Sequence, residues 1–199
     1  MSDLFAFNHD AAMKSGKMGM QSGVHKAVIE SCIRGKSKGG AAYIEFSFET
    51  EGGAKANFVT LYISNKEGET IFGHGKFQAL LGLLGLTQEP LKWVEKDGKQ
   101  HCSTLEGKPC QVGLQKVEYL NGSGEKKFKF EITHFFDLKT GCTYTELKDN
   151  KAAKSIAYVI EDVLIKDAAE HNFKRDAGAS SGDPRGHIPT PDDSELLPF

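Results

Sequence analysis

Apolar and polar positions alternate with a period of two along much of the chain. Ala42–Thr50 (AYIEFSFET) puts Ile44, Phe46 and Phe48 on one side and Tyr43, Glu45, Ser47 and Glu49 on the other, the pattern of a half-buried strand. Val24–Arg34 is rich in β-branched residues and runs into the turn GKSKGG. After the turn Glu51-Gly52-Gly53, Asn57–Ile63 places Val59, Leu61 and Ile63 opposite Phe58, Thr60 and Tyr62. The period then changes. In Gly75–Leu86 the residues Phe77, Leu80, Leu81 and Leu84 fall at helical spacing, with Gly82 and Gly85 marking close packing or an early end. Residues 87–108 are polar and turn-rich and read as a long connection. Cys110–Leu120 and Lys126–Phe136, separated by NGSGE, predict a hairpin. On its second strand Phe128, Phe130, Ile132, His134 and Phe136 alternate with Lys127, Lys129, Glu131, Thr133 and Phe135. Cys142–Leu147 suits a further short strand. Asp149 or Asn150 suits the cap of a helix running to Asp167, with Ala153, Ile156, Ala157, Ile160 and Leu164 on its stripe.

Three strands, a helix and two more strands, each with one apolar face, is the order of a five-stranded oligonucleotide-binding (OB-fold) barrel. The expected fold is therefore mainly β, with a helix between strands three and four and an added C-terminal helix. Three regions follow. Residues 1–22 form an N-terminal arm, pinned by Leu4, Phe5 and Phe7. Residues 23–167 form the barrel domain with its C-terminal helix. Residues 168–199, with four of the six prolines and no amphipathic period, form a disordered acidic tail.

Charge sharpens that division. The whole 199-residue chain carries a formal −2. From Ala168 onward there are six acids and three bases, which leaves the rest at +1, with lysines clustered locally. No apolar run reaches the roughly 18 residues of a membrane span, and the start has no basic stretch before an apolar run, so a cytoplasmic protein without a secretory signal or membrane partner is expected. Cys32, Cys102, Cys110 and Cys142 lack zinc-site spacing and read as reduced thiols.

Catalytic patterns are absent. Gly73-His74-Gly75-Lys76 lacks the spacing of a phosphate loop, His134 falls on an apolar face, and no carboxylates pair at metal-binding spacing. No enzyme activity, catalytic residue, metal or cofactor is expected. Single-stranded nucleic acid asks instead for cations along its backbone and aromatic faces under its bases. Arg34, Lys36 and Lys38 at the first turn, Lys55 before the third strand, and Lys126, Lys127 and Lys129 in the last hairpin supply the cations. Tyr43, Phe58, Tyr62 and Tyr119 supply aromatics opposite the aliphatic faces.

The tail adds a recognition element. Phe199 offers a ring for an apolar pocket and a carboxylate for a basic rim, and Asp192, Asp193 and Glu195 can steer it to a basic surface. The run Asp192-Asp193-Ser194-Glu195-Leu196-Leu197-Pro198-Phe199 resembles the acidic tip of bacterial single-stranded-DNA-binding proteins, which finish with aspartates and a hydrophobe-Pro-Phe. Residues 23–136, with GKSKGG, AYIEFSFET, NFVTLYISN, KFQALLGLLGL and LEGKPCQVGLQ in order, are similar in layout to phage-type single-stranded-DNA-binding and recombination-associated proteins. That resemblance implies sequence-independent coating of single-stranded DNA during replication, recombination or repair. It also implies that the tail recruits a polymerase, helicase or nuclease. It leaves oligomeric state open, a homo-oligomer included. The alternative is a non-catalytic partner-recruiting or virion-associated module of similar fold without strong DNA binding.

Overall fold

The computed structural model describes residues 19–88, 90–163 and 166. Among them run seven strands: β1 (Gly23–Lys36), β2 (Ala42–Thr50), β3 (Lys55–Tyr62), β4 (Trp93–Lys96), β5 (Lys99–Cys102), β6 (Pro109–Leu120) and β7 (Lys126–Phe136). Three helices accompany them: α1 (Phe72–Leu83), α2 (Tyr144–Lys148) and α3 (residues 155–163). The protein is mainly β, an open antiparallel sheet with a few helices.

β1 organises the sheet. One side pairs with β2 from Ala27 to Lys36, and β2 pairs in turn with β3. The other side pairs first with β6, from Gly23 to Val28, and then with β5 at Ile33 and Arg34. A bulge between Ile29 and Ser31 bends β1 where its partner changes. There the Ile29 N–H donates to the Lys108 carbonyl, and the Gly107 N–H donates to the Ile29 carbonyl. β6 and β7 continue as a hairpin beyond the start of β1. β3 and β7 lie close without sharing a ladder.

The alternation read from the sequence builds the core. Ile44, Phe46 and Phe48 of β2 and Val59 and Leu61 of β3 are buried, packed with Ile29 and Cys32 of β1 and with Leu114, Phe130 and Ile132 of the β6–β7 hairpin. α1 closes this core with Phe77, Leu80 and Leu81, as its spacing predicts. The helix begins earlier than expected, at Phe72, because Gly73 lets its first turn sit on the end of β3. A Cβ at Gly73 would lie 2.0 Å from the Tyr62 carbonyl oxygen. Gly85 ends the helix at φ 71°, with Leu86 N–H on the Leu81 carbonyl and Gly85 N–H on the Gly82 carbonyl.

Four expectations are corrected. Residues 87–108 are not a plain connection: Trp93–Lys96 and Lys99–Cys102 form a hairpin around Asp97 and Gly98, both at positive φ. Cys142–Leu147 is not a strand, because Thr143 and Glu146 form a capping box that starts α2. The following helix starts at residue 155 rather than beside Asp149. Glu146 accepts from the N–H groups of Lys154 and Ser155 and so caps it from a distance. Its buried positions are Val159 and Val163, with Ile156 at the edge, whereas Ala157 and Ile160 are exposed. Finally, the alternation of β7 breaks after Ile132. A bulge puts Thr133 and His134 opposite Gly113, so Phe135 enters the main core while Phe136 joins Val159 and Val163 in a second cluster.

The cysteines are all free and buried. Burial pushes the Cys110 thiol up to about 12. A hydrogen bond from Cys32 brings Cys102 down to about 7, and the same contact raises Cys32. Met20, at the end of the arm, is buried in the core, while Leu4, Phe5 and Phe7 lie outside the described residues.

Candidate nucleic-acid interface

The outer face of β1–β3 is built by register. Gly35 pairs with Tyr43, and Tyr43 pairs with Tyr62, so the two phenol rings stand side by side on β2 and β3 with Gly35 of β1 next to them. Gly35 is what lets Tyr43 lie flat, since a Cβ there would come within 2.5 Å of its ring and hydroxyl. The rings meet edge to face, centroids 5.9 Å apart, and Tyr62 remains exposed. Further along the face come Thr60 and Glu45, which pair with each other.

Arg34 and Lys36 share the parity of Cys32 and Ile44 but lie past the edge of the core. They line a cavity of about 430 Å³ with Tyr43, Ile63, Phe77, Gln100 and Trp93. The Arg34 guanidinium sits 4.7 Å from the centroid of the Trp93 ring. Lys38 is exposed in the tight turn closed by Ser37 and Ala41. None of these three cations forms an ion pair among the described residues. The first group of expected residues, Arg34, Lys36, Lys38, Tyr43 and Tyr62, is thus brought to one end of the sheet.

Phe58 lies farther down β3. The register shifts between Phe46 and Phe48 of β2, and Phe58 sits in the matching irregularity of β3. Its φ is 58°, the left-handed region that costs a side-chain-bearing residue roughly 1–2 kcal/mol. Its ring is 71% exposed, so no burial offsets that strain. Lys55, in contrast, is not a free cation: its ammonium lies 2.5 Å from Glu30 and 3.1 Å from Glu49. Those two carboxylates raise its pKa and occupy the charge expected to meet phosphate.

The third group lies on the β6–β7 hairpin beyond β1. Tyr119 pairs with Lys127, and Leu120 with Lys126. Lys129 is held by Glu131 at 2.6 Å and Lys127 by Glu125 at 3.8 Å, while Lys126 forms no ion pair among the described residues. Sequence reasoning passed over two further pairs of an exposed ring and a lysine, one on this hairpin and one on α1. Phe128 has the parity of the buried Phe130 yet is 56% exposed, because the hairpin has outrun the core by that point. The ammonium of Lys116 covers its ring at 4.5 Å. Phe72, at the start of α1, is 79% exposed, with the Lys76 ammonium 5.1 Å from its centroid. The signal available in the sequence was Phe72 directly before a glycine pair and four residues from a lysine.

His134 has a pKa lowered by burial and by Lys76, which keeps its imidazole neutral. Among the described residues no group of three or more His, Cys, Asp or Glu side chains is arranged to hold a metal ion, and no helix is long and apolar enough to cross a membrane. The expected tail residues Asp192, Asp193, Glu195, Leu196, Leu197, Pro198 and Phe199 lie outside the described residues.

The class these elements define is a mainly β protein whose open antiparallel sheet carries exposed aromatic rings and, among the described residues, cations without an ion pair. No known protein family matches any part of the chain, and no curated protein matches it.

Proposed function

We propose that the protein is a non-catalytic, sequence-independent single-stranded-DNA-binding protein of the phage type, acting in replication, recombination or repair. The observation that carries the reading is Phe58, an aromatic ring held in a strained backbone conformation and presented to solvent on the strand that also bears Tyr62. Strain without burial points to a ring placed for a ligand. Bases provide the matching chemistry, since every base has a face that stacks on an aromatic ring whatever its identity. Arg34 and Lys36 at the end of β1, with Lys38 in the turn after it, supply the cations that follow the phosphates.

The same reading takes the sheet as an oligonucleotide-binding barrel. Leaving out the β4–β5 hairpin, the strand order is β3-β2-β1-β6-β7, with β7 returning beside β3 and α1 following the third strand. The short hairpin is then an insertion between the helix and the fourth barrel strand. The acidic segment at 192–199 would recruit replication or recombination proteins, a role that rests on its sequence alone.

Titration of the full chain with oligo-dT, followed through quenching of Trp93 and tyrosine fluorescence, tests this proposal. Saturable binding that is indifferent to base composition, with the oligonucleotide recovered intact, is the expected result. No binding at low salt would leave the alternative of a partner-recruiting module, and metal-dependent cleavage would make the protein an enzyme.

A further inference from the structure

Two adjoining cavities of about 710 and 590 Å³ share Phe72, Lys76 and His134 and together make one cleft between α1, β7 and the helices that follow. The floor is the bulged part of β7, where Thr133 and His134 stand opposite Gly113. Bulges of this kind re-aim a side chain. Thr133 Oγ1 packs against Gly113, and neither it nor His134 Nδ1 has a hydrogen-bond partner among the described residues. The imidazole is neutral, so it offers one donor and one acceptor.

The rim supplies complementary chemistry. Lys76 donates to the Ile132 carbonyl at 2.6 Å and lies over Phe72, which leaves two of its three protons and the rest of the exposed ring for a ligand. Glu131, Asp162 and Lys166 line the same cavity as Lys76, with Lys166 bound to Asp162 at 2.6 Å. An anionic group therefore belongs at Lys76, with its neutral part directed inward. Position completes the argument. Because Gly73 packs on the Tyr62 carbonyl, Phe72 lies next to the end of β3, whose last residue is the Tyr62 of the Tyr43–Tyr62 pair.

We propose that this cleft is a second nucleotide subsite, taking one base of a single strand that leaves the Tyr43–Tyr62 face. The base stacks on Phe72 within the cleft, and its phosphate lies at Lys76. The proposal rests on the single-strand reading above and extends it to residues outside the β1–β3 face.

Length dependence separates the two. Affinities are measured for oligo-dT of about 4 to 16 nucleotides, the usual range of such site sizes, with Phe72→Ala and Tyr62→Ala in the full chain. Phe72→Ala removes an exposed ring, so the variant folds. It is expected to bind the shortest strands as the wild type does and to lose about fivefold or more on the longer ones, the value of one stack. Tyr62→Ala is expected to weaken every length. Photo-crosslinking with 5-iododeoxyuridine in the longer strand should then yield a peptide containing Phe72. Unchanged affinity of Phe72→Ala at all lengths, with crosslinks confined to Tyr43, Phe58 or Tyr62, overturns the subsite and leaves the β1–β3 face standing. Failure of the wild type to bind any length overturns both.

Discussion

Replacing Phe58 with glycine separates what this residue costs the fold from what it contributes to binding. A side-chain-bearing residue at φ 58° stores roughly 1–2 kcal/mol that glycine does not. Against that, glycine widens the unfolded ensemble by about 0.4–1 kcal/mol. With the ring 71% exposed, little apolar burial is lost. Phe58→Gly should therefore stabilise the protein by about 0.5–1 kcal/mol, a rise in Tm of about 1–4 °C for a domain of this size. The same change removes one stacking platform, worth about 1–3 kcal/mol, so affinity for oligo-dT should fall about 5- to 150-fold. The salt dependence should stay as it was, because no cation is touched. Phe58→Ala keeps the strain and loses the ring, so it should bind as poorly without the gain in Tm, and Phe58→Trp should restore binding. Thermal unfolding and fluorescence titration on the four proteins decide the matter. A Phe58→Gly protein that melts lower, or that binds oligo-dT as the wild type does, refutes the reasoning.

Other predictions concern cations, packing and pH. Lys55→Ala should change affinity less than twofold because Glu30 and Glu49 already hold that charge, whereas Lys36→Ala and Lys38→Ala should each flatten the salt dependence by about 0.7. Gly35→Ala should displace the Tyr43 ring, lowering affinity while leaving Tm nearly unchanged, since only the far end of that side chain must move. Glu146 accepts from the backbone and hydroxyl groups of Thr143 and Ser155 and from Lys154 N–H. Burial alone would raise its pKa, but these donors outweigh it and hold the carboxyl at about 2. The folded value lies below the unfolded one, so this contribution is complete above the ordinary carboxylate range and fades as pH falls toward about 2. Glu146→Gln should cost about 2–3 kcal/mol at neutral pH, and denaturant melts of the variant should lose stability less steeply on acidification than the wild type.

Where the sequence was legible, a single face decided the burial. Ala42–Thr50 and Lys126–Phe136 could be bounded to the residue because their inward positions are large and apolar and turns flank them. The β4–β5 hairpin escaped because four-residue strands with Val94 exposed carry no usable alternation, although Asp97-Gly98 announces the turn. Phe135 and Phe136 defeated the period of two because the bulge at Thr133 sends neighbours into different cores. α2 was missed because a capping box, rather than a periodic face, starts a helix that short.

The candidate site follows the same logic. Tyr43 and Tyr62 could be read from strand parity, and register then brought them together. Lys55 could not be judged locally, because its partners Glu30 and Glu49 come from two other strands. Phe128 fell on the apolar face of its strand, and Phe72 lies ahead of the periodic stretch read as the helix. Their exposure depends on where the hairpin outruns the core and where α1 meets β3.

The most direct test of the central claim is the salt dependence of oligo-dT binding by the full-length wild type. If Arg34, Lys36 and Lys38 each meet a phosphate, log affinity falls linearly with log salt, at about −0.7 for each phosphate contacted and so about −2 from these three alone. Affinity that is absent, or that does not change with salt, would contradict it.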